Sequence, residues 1–260
     1  MIKYRWFVSR RGATVQSIFV RLSMKKRVII ITSLILAVLT LVTAGLLVWF
    51  LKVVPERERK EELENFAAFL KQYYTDKTEA FAKENETLGE VDVAFIGDSL
   101  TDGYDLAEYY PGMSVINRGI GGDTTHGVYD RLEVSVIEPN PKAIVMMIGT
   151  NNLTDMFTDY EDILARLKAE LPDTQVVILS IPPAAGDYAD RNGLIAINNL
   201  KIQTLAEKYG YVYVDIFTHL YDYEVGEMRA EYTTDGIHFT PLGYEIITAL
   251  VKPVLDKILE

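Results

Sequence analysis

Four short polar clusters in this chain of 260 residues hold side chains able to do chemistry together. Gly97-Asp98-Ser99-Leu100 places a hydroxyl directly behind an apolar run, where a tight turn presents it above a sheet; Asp-Ser is equally an ordinary helix cap. Asn117-Arg118-Gly119-Ile120-Gly121-Gly122-Asp123-Thr124 is rich in glycine, which lets a backbone N–H approach a ligand closely or simply lets a loop turn. Gly149-Thr150-Asn151-Asn152 offers a side-chain amide to the same point in space, or forms an Asn-containing turn. Thr234-Asp235-Gly236-Ile237-His238 sets a carboxylate three residues ahead of an imidazole. That spacing lets Asp235 accept from one ring nitrogen and leaves the other free as a base, although such pairs also arise incidentally.

Composition removes other chemistries. There is no cysteine, which excludes thiol nucleophiles, disulfides and Cys-ligated zinc. The three histidines, His126, His219 and His238, include no H-E-x-x-H pair, so a metal centre is not expected. His126, near the glycine cluster, and His219, after the last apolar run, are the rival bases to His238. The formal charge of −11 is uneven: residues 1–27 carry eight Lys/Arg and no acid, and the remainder has 18 basic against 37 acidic residues. So acidic a body repels phosphate backbones, and no nucleic-acid partner is expected.

The clusters need elements to position them. Short apolar runs at residues 91–96, 114–117, 143–148, 176–180 and 211–215 alternate with helical patterns at 124–136, 160–170, 192–209 and 242–259. That alternation predicts an α/β fold, one parallel sheet with helices on both faces. In such folds the chemistry sits at the C-terminal ends of the strands, where the polar clusters fall.

Residues 28–51 are 24 uncharged residues, about 36 Å as a helix and enough to cross a hydrocarbon core of about 30 Å. Lys25-Lys26-Arg27 precedes the run and Trp49-Phe50 sits at its far end. The expectation is an uncleaved single-pass signal anchor in the cell membrane, with residues 1–27 a basic cytoplasmic tail and the body outside. Cleavage after Val42-Thr43-Ala44 as a signal peptide is the rival. Met24 onward already resembles the start of an exported bacterial protein, which makes residues 1–23 a candidate start-site artefact. In residues 52–90, Pro55 suits a first helical turn, and Leu63, Phe66, Leu70 and Tyr73 recur at helical spacing. They predict a membrane-proximal amphipathic helix, docked on the domain or serving as a stalk.

Taken in order, the four clusters resemble the four blocks of the SGNH (GDSL-type) hydrolase family. The Asn117–Thr124 stretch is similar to the branch of platelet-activating-factor acetylhydrolase-like and lysophospholipase-like esterases. The resemblance covers residues 91–260 and implies a flavodoxin-like three-layer α/β/α serine esterase working without metal or organic cofactor. It implies Ser99 as nucleophile, His238 as general base, Asp235 as its orienting partner, and an oxyanion hole of the Ser99 N–H, the Gly122 N–H and the Asn151 amide. One departure is Asn152, where many relatives carry aspartate. Tyr104, Tyr109, Tyr110, Tyr188, Tyr221 and Tyr223 are candidate rim residues for a sugar or amphiphile, or ordinary packing. The expected substrate is a small-molecule, glycan or lysophospholipid-type ester. A membrane-anchored binding module that keeps the fold with little turnover is the alternative class.

Overall fold

The computed structural model describes residues 23–260. Most of the basic tail, and with it the start-site expectation, therefore lies outside the described residues. The chain divides into two compact units, Met1–Phe66 and Ala67–Glu260.

In the first unit α1 (Met24–Val48) is a helix with no buried residue. A wide turn, Trp49–Val53, leads from it into α2 (Val54–Asn85). The absence of any charge from 28 to 51 leaves nothing to interrupt so long an apolar helix. The unit boundary falls inside α2, whose C-terminal part belongs to the second unit.

The second unit is a five-stranded parallel sheet in the order β2-β1-β3-β4-β5. Its strands are β1 (Val93–Gly97), β2 (Val115–Gly119), β3 (Ala143–Met147), β4 (Gln175–Leu179) and β5 (Val212–Val214). β1 and β3 are buried at every residue, as strands covered on both faces must be. Alternate side chains feed two cores. Ile96, Ile144, Met146 and Ile178 face one, with Tyr160, Ile163, Leu164 and Leu167 of α6 (Phe157–Glu170). Those four sit at the i, i+3, i+4, i+7 spacing that makes one apolar stripe. α7 (Asn192–Tyr209) covers the same face and ends at Gly210, whose positive φ of 71° suits glycine. Phe95, Val145 and Val177 face the other core, with Tyr244, Ile247, Val251 and Leu255 of α9 (Pro241–Leu259). Thr240 caps α9 and Pro241 opens it. Strand order reverses between β1 and β3, which opens a crevice at the C-terminal edge of the sheet.

Two local details differ from the sequence expectation. The helix expected over 124–136 is broken into α5 (Thr125–Asp130) and a wide turn at Glu133–Ile137. The break lies where Arg131 turns into the protein and donates to Ser135 Oγ at 2.9 Å. The four-residue helices α3 (Ser99–Asp102), α4 (Leu106–Tyr109) and α8 (Phe217–Leu220), and the β6 (Tyr221–Asp222) and β7 (Glu227–Met228) hairpin, are too short for periodicity to reveal.

Candidate active site

β1 ends in Gly97, and a Cβ there would collide with Thr101 and the Met147 carbonyl. Only glycine lets the chain turn this tightly, which lifts Ser99 to the first position of α3. Asp98 does cap that helix, accepting from Leu100 N–H at 3.0 Å, so the capping and site readings of Asp-Ser are both realised. Asp98 is fully buried, its second oxygen has no partner, and burial pushes its carboxyl up to about 7.

The loop before α9 brings the imidazole to the hydroxyl. His238 Nε2 lies 2.9 Å from Ser99 Oγ, and His238 Nδ1 lies 2.7 Å from Asp235 Oδ2. An ionised Asp235 accepts, so Nδ1 carries the proton and Nε2 is left to accept from the hydroxyl. Partial desolvation pushes Asp235 up, but hydrogen bonds from the imidazole and from the His238 and Ile237 N–H groups outweigh it and hold the carboxyl at about 2.

The other two clusters meet at the same edge. Ile120 N–H donates to Gly97 carbonyl at 3.1 Å, which lays the glycine cluster against the end of β1. Gly122 takes a positive φ of 78°. Asn151 Nδ2 donates to the Asp123 carbonyl at 2.9 Å, tying the β3 loop to the glycine cluster. Among the described residues, neither Ser99 N–H nor Gly122 N–H has a hydrogen-bond acceptor. Ser99 is half-buried, whereas Gly122, Asn151, Asp235 and His238 are exposed, so the site is open to solvent.

Residues 95–246 match the GDSL-like Lipase/Acylhydrolase family. The chain belongs to that family. It is 28% identical over 190 residues to the platelet-activating factor acetylhydrolase IB subunit alpha2 of Homo sapiens, covering 66% of this chain and 79% of that one. A solved structure from Streptococcus pneumonia, described as a platelet activating factor, superposes with a TM-score of 0.70 at 26% identity over 75% of this chain and 99% of its own. A GDSL-like lipase from Bacteroides thetaiotaomicron superposes with a TM-score of 0.63 at 25% identity, over 69% and 97% respectively. The chain is thus a GDSL-type ester hydrolase.

In this acylhydrolase the rival bases lie elsewhere. His126 faces Asp159 at 3.4 Å and Asp130 at 3.6 Å, and His219 Nδ1 faces the Asp215 carbonyl at 2.9 Å. Spacing alone does not separate them, because Asp123 also precedes His126 by three residues. There the carboxylate turns inward to Arg131 Nε, 2.8 Å away. Asn152, the departure from the family pattern, uses both ends of its amide on Thr125: Nδ2 donates to Oγ1 at 2.9 Å and Oδ1 accepts from N–H at 3.4 Å. Of the candidate rim tyrosines, Tyr104 and Tyr110 are core residues of the acylhydrolase, and Tyr109 donates to the Pro241 carbonyl at 3.2 Å. Tyr188 packs against the core. Tyr221 and Tyr223 line a cavity of about 460 Å³ between α7 and β5.

Sequence reasoning missed the scaffold under the glycine cluster. Arg131 is 2% exposed and donates to Asp123 Oδ2 (2.8 Å), the Arg118 carbonyl (2.8 Å) and the Gly97 carbonyl (3.0 Å). Burial pushes the Asp123 carboxyl up and the Arg131 guanidinium down, and their pairing opposes both. Asn117 Nδ2 donates to the Thr101 carbonyl at 2.7 Å, and its Oδ1 accepts from Gly119 N–H at 2.8 Å. A backbone-bridging asparagine inside a strand was the available signal for the second contact; nothing in the sequence marked Arg131.

Proposed function

We propose that the chain is a membrane-anchored serine esterase that acts outside the cytoplasm through an acyl-enzyme. The contact that carries this reading is Ser99 Oγ to His238 Nε2, with Asp235 behind the imidazole. Ser99 Oγ attacks the ester carbonyl as its proton passes to His238 Nε2, and Asp235 stabilises the imidazolium. The tetrahedral oxyanion is met by the Ser99 and Gly122 N–H groups and by the Asn151 hydrogen that Asp123 leaves free. Such donors act on charge that exists only in the transition state. His238 protonates the departing alcohol, then draws a proton from water, which attacks the acyl carbon and releases the acid.

The open site admits a small-molecule ester and also an ester presented at the surface of a larger molecule, an acylated glycan or a lysophospholipid-type ester. Anchoring rests on α1, where the side chains of Val28, Leu36, Leu41 and Leu47 are all exposed along a helix long enough to span a bilayer. The eight cations at residues 1–27 favour a cytoplasmic N-terminus.

Para-nitrophenyl esters of increasing acyl length, given to the purified full-length chain and to Ser99→Ala, test the chemistry. Turnover by the native chain and its loss in a variant that melts normally is the expected result; turnover surviving in Ser99→Ala would remove Ser99 as the nucleophile. Protease added to intact cells tests topology. The C-terminal domain should be digested without lysis, and its protection would reverse the orientation.

A further inference from the structure

The C-terminal part of α2 lies outside the family match, which begins at residue 95, yet it touches the glycine cluster directly. Asp102, at the end of α3, gathers three donors on its carboxylate. Tyr73 Oη donates at 2.6 Å and Lys77 Nζ at 2.7 Å, both from α2, and Gly121 N–H donates at 3.2 Å from the glycine cluster. The Tyr73 ring covers Gly121, where an added Cβ would lie 3.4 Å from Cε1. One turn earlier, Leu70 covers the next glycine: a Cβ on Gly122 would lie 3.0 Å from Leu70 Cδ2.

We propose that residues 70–77 of α2 are a working part of the active site, in which Tyr73 and Lys77 hold the Asp102 carboxylate against the Gly121 N–H and so orient the adjoining Gly122, while Leu70 is the wall the substrate meets beside it. The proposal rests on the reading of Gly122 as an oxyanion donor. Docking alone would not require these contacts. Lower on the same helix, Phe81 is 4% exposed beneath the Arg118 guanidinium, and Glu84 and Asn85 both bond to Arg118, which already fastens α2 to the domain. The upper contacts fall on the one loop whose backbone must face the substrate. Gly121 and Gly122 have no side chains to lock their own peptide planes, so an outside carboxylate has to do it. With Tyr73 and Lys77 gone, Asp102 turns to water and releases Gly121. Leu70 is itself half-buried, with a face left for an acyl chain or leaving group. Tyr73 and Lys77 are therefore positioning residues, and Leu70 is a specificity residue.

The test uses the full-length chain in detergent with para-nitrophenyl acetate, butyrate and octanoate. The double variant Tyr73→Phe/Lys77→Met should lower kcat by about 10- to 100-fold with KM held within about 3-fold, because misorienting a transition-state donor spares ground-state binding. Lys77→Arg, which keeps a donor on Asp102, should stay within about 2-fold of the native kcat. Asn85→Ala, a docking contact on the same helix, should lower the melting temperature and leave kcat intact. Leu70→Ala should shift the octanoate-to-acetate ratio of kcat/KM by about 10-fold. A native kcat in the double variant, or an equal loss in Asn85→Ala, overturns the positioning role; an unchanged ratio in Leu70→Ala overturns the wall. Ser99→Ala is assayed alongside: an active Ser99→Ala sinks the functional reading itself, whereas an inactive one beside a normal double variant sinks only the role of α2.

Discussion

The two halves of the proposed site are built on different plans. The acid–base half is local and exposed: Asp235 and His238 lie three residues apart on one loop, and their side chains are 53% and 46% exposed. The donor half is assembled from distant parts of the chain and rests on buried ionic groups. Arg131 and Asp123 are 1% and 3% exposed at the side chain, and they hold the ends of β1 and β2 together with the glycine cluster. The comparison teaches where precision is stored. A base needs only one partner to fix its ring, and a short loop supplies it. Backbone donors cannot be aimed by their own side chains, so the protein must order whole peptide planes from beneath.

If this division is right, removing parts of each half should fail in different ways. The largest effect is expected from His238→Ala, a loss of about 10⁴- to 10⁶-fold in kcat with an unaltered unfolding transition. His126→Ala and His219→Ala should keep most activity; an essential His126 would break the assignment. Arg131→Met should instead act on the fold, costing about 3–5 kcal/mol in urea denaturation because it strands Asp123 as an unpaired buried charge. A stable Arg131→Met with native kcat would show that the donor half needs no such foundation. Asn151→Ala should lower kcat by about 10²- to 10³-fold and barely move KM. A change confined to KM would make it a substrate-binding residue.

The last effect depends on pH and concerns Asp98. Burial raises its carboxyl in the folded state from the ordinary 3.8 to about 7. From about pH 4 to 7 the unfolded chain gives up this proton and the folded chain keeps it. Its stabilising share is therefore full below pH 4 and lost as pH rises through 7. Asp98→Asn should gain on the native chain across that window by an amount on the order of 4 kcal/mol, then level off. Denaturation curves at pH 4, 6 and 8 measure it, and a gap between the two proteins that does not vary with pH would contradict it.

This division also explains what could be read from the sequence. Ser99 after an apolar run, Asn151 after another and the Asp235–His238 spacing are short-range patterns, and each lands at the sheet edge where strand–helix alternation put it. Spacing was not sufficient even so, since Asp123 and His126 repeat it and end up facing different partners. The scaffold was hidden because it joins residues far apart in the chain: Arg131 reaches Gly97, 34 positions away, and Lys77 reaches Asp102. The helical spacing of Leu70 and Tyr73 announced an apolar face on α2 but not what that face would cover. The break in the helix expected over 124–136 had the same origin, an inward-turning Arg131 that a polar-or-apolar pattern places on the surface.

The exposure of the serine's surroundings has a kinetic consequence. On the proposed mechanism an acyl group held on Ser99 has Leu70 on one side and is otherwise open to solvent, so any nucleophile dissolved nearby reaches it by diffusion. Partitioning between hydrolysis and alcoholysis should then follow bulk composition. With increasing methanol in the assay, the yield of methyl ester relative to free acid should rise in proportion to the methanol-to-water ratio, with no sign of saturation.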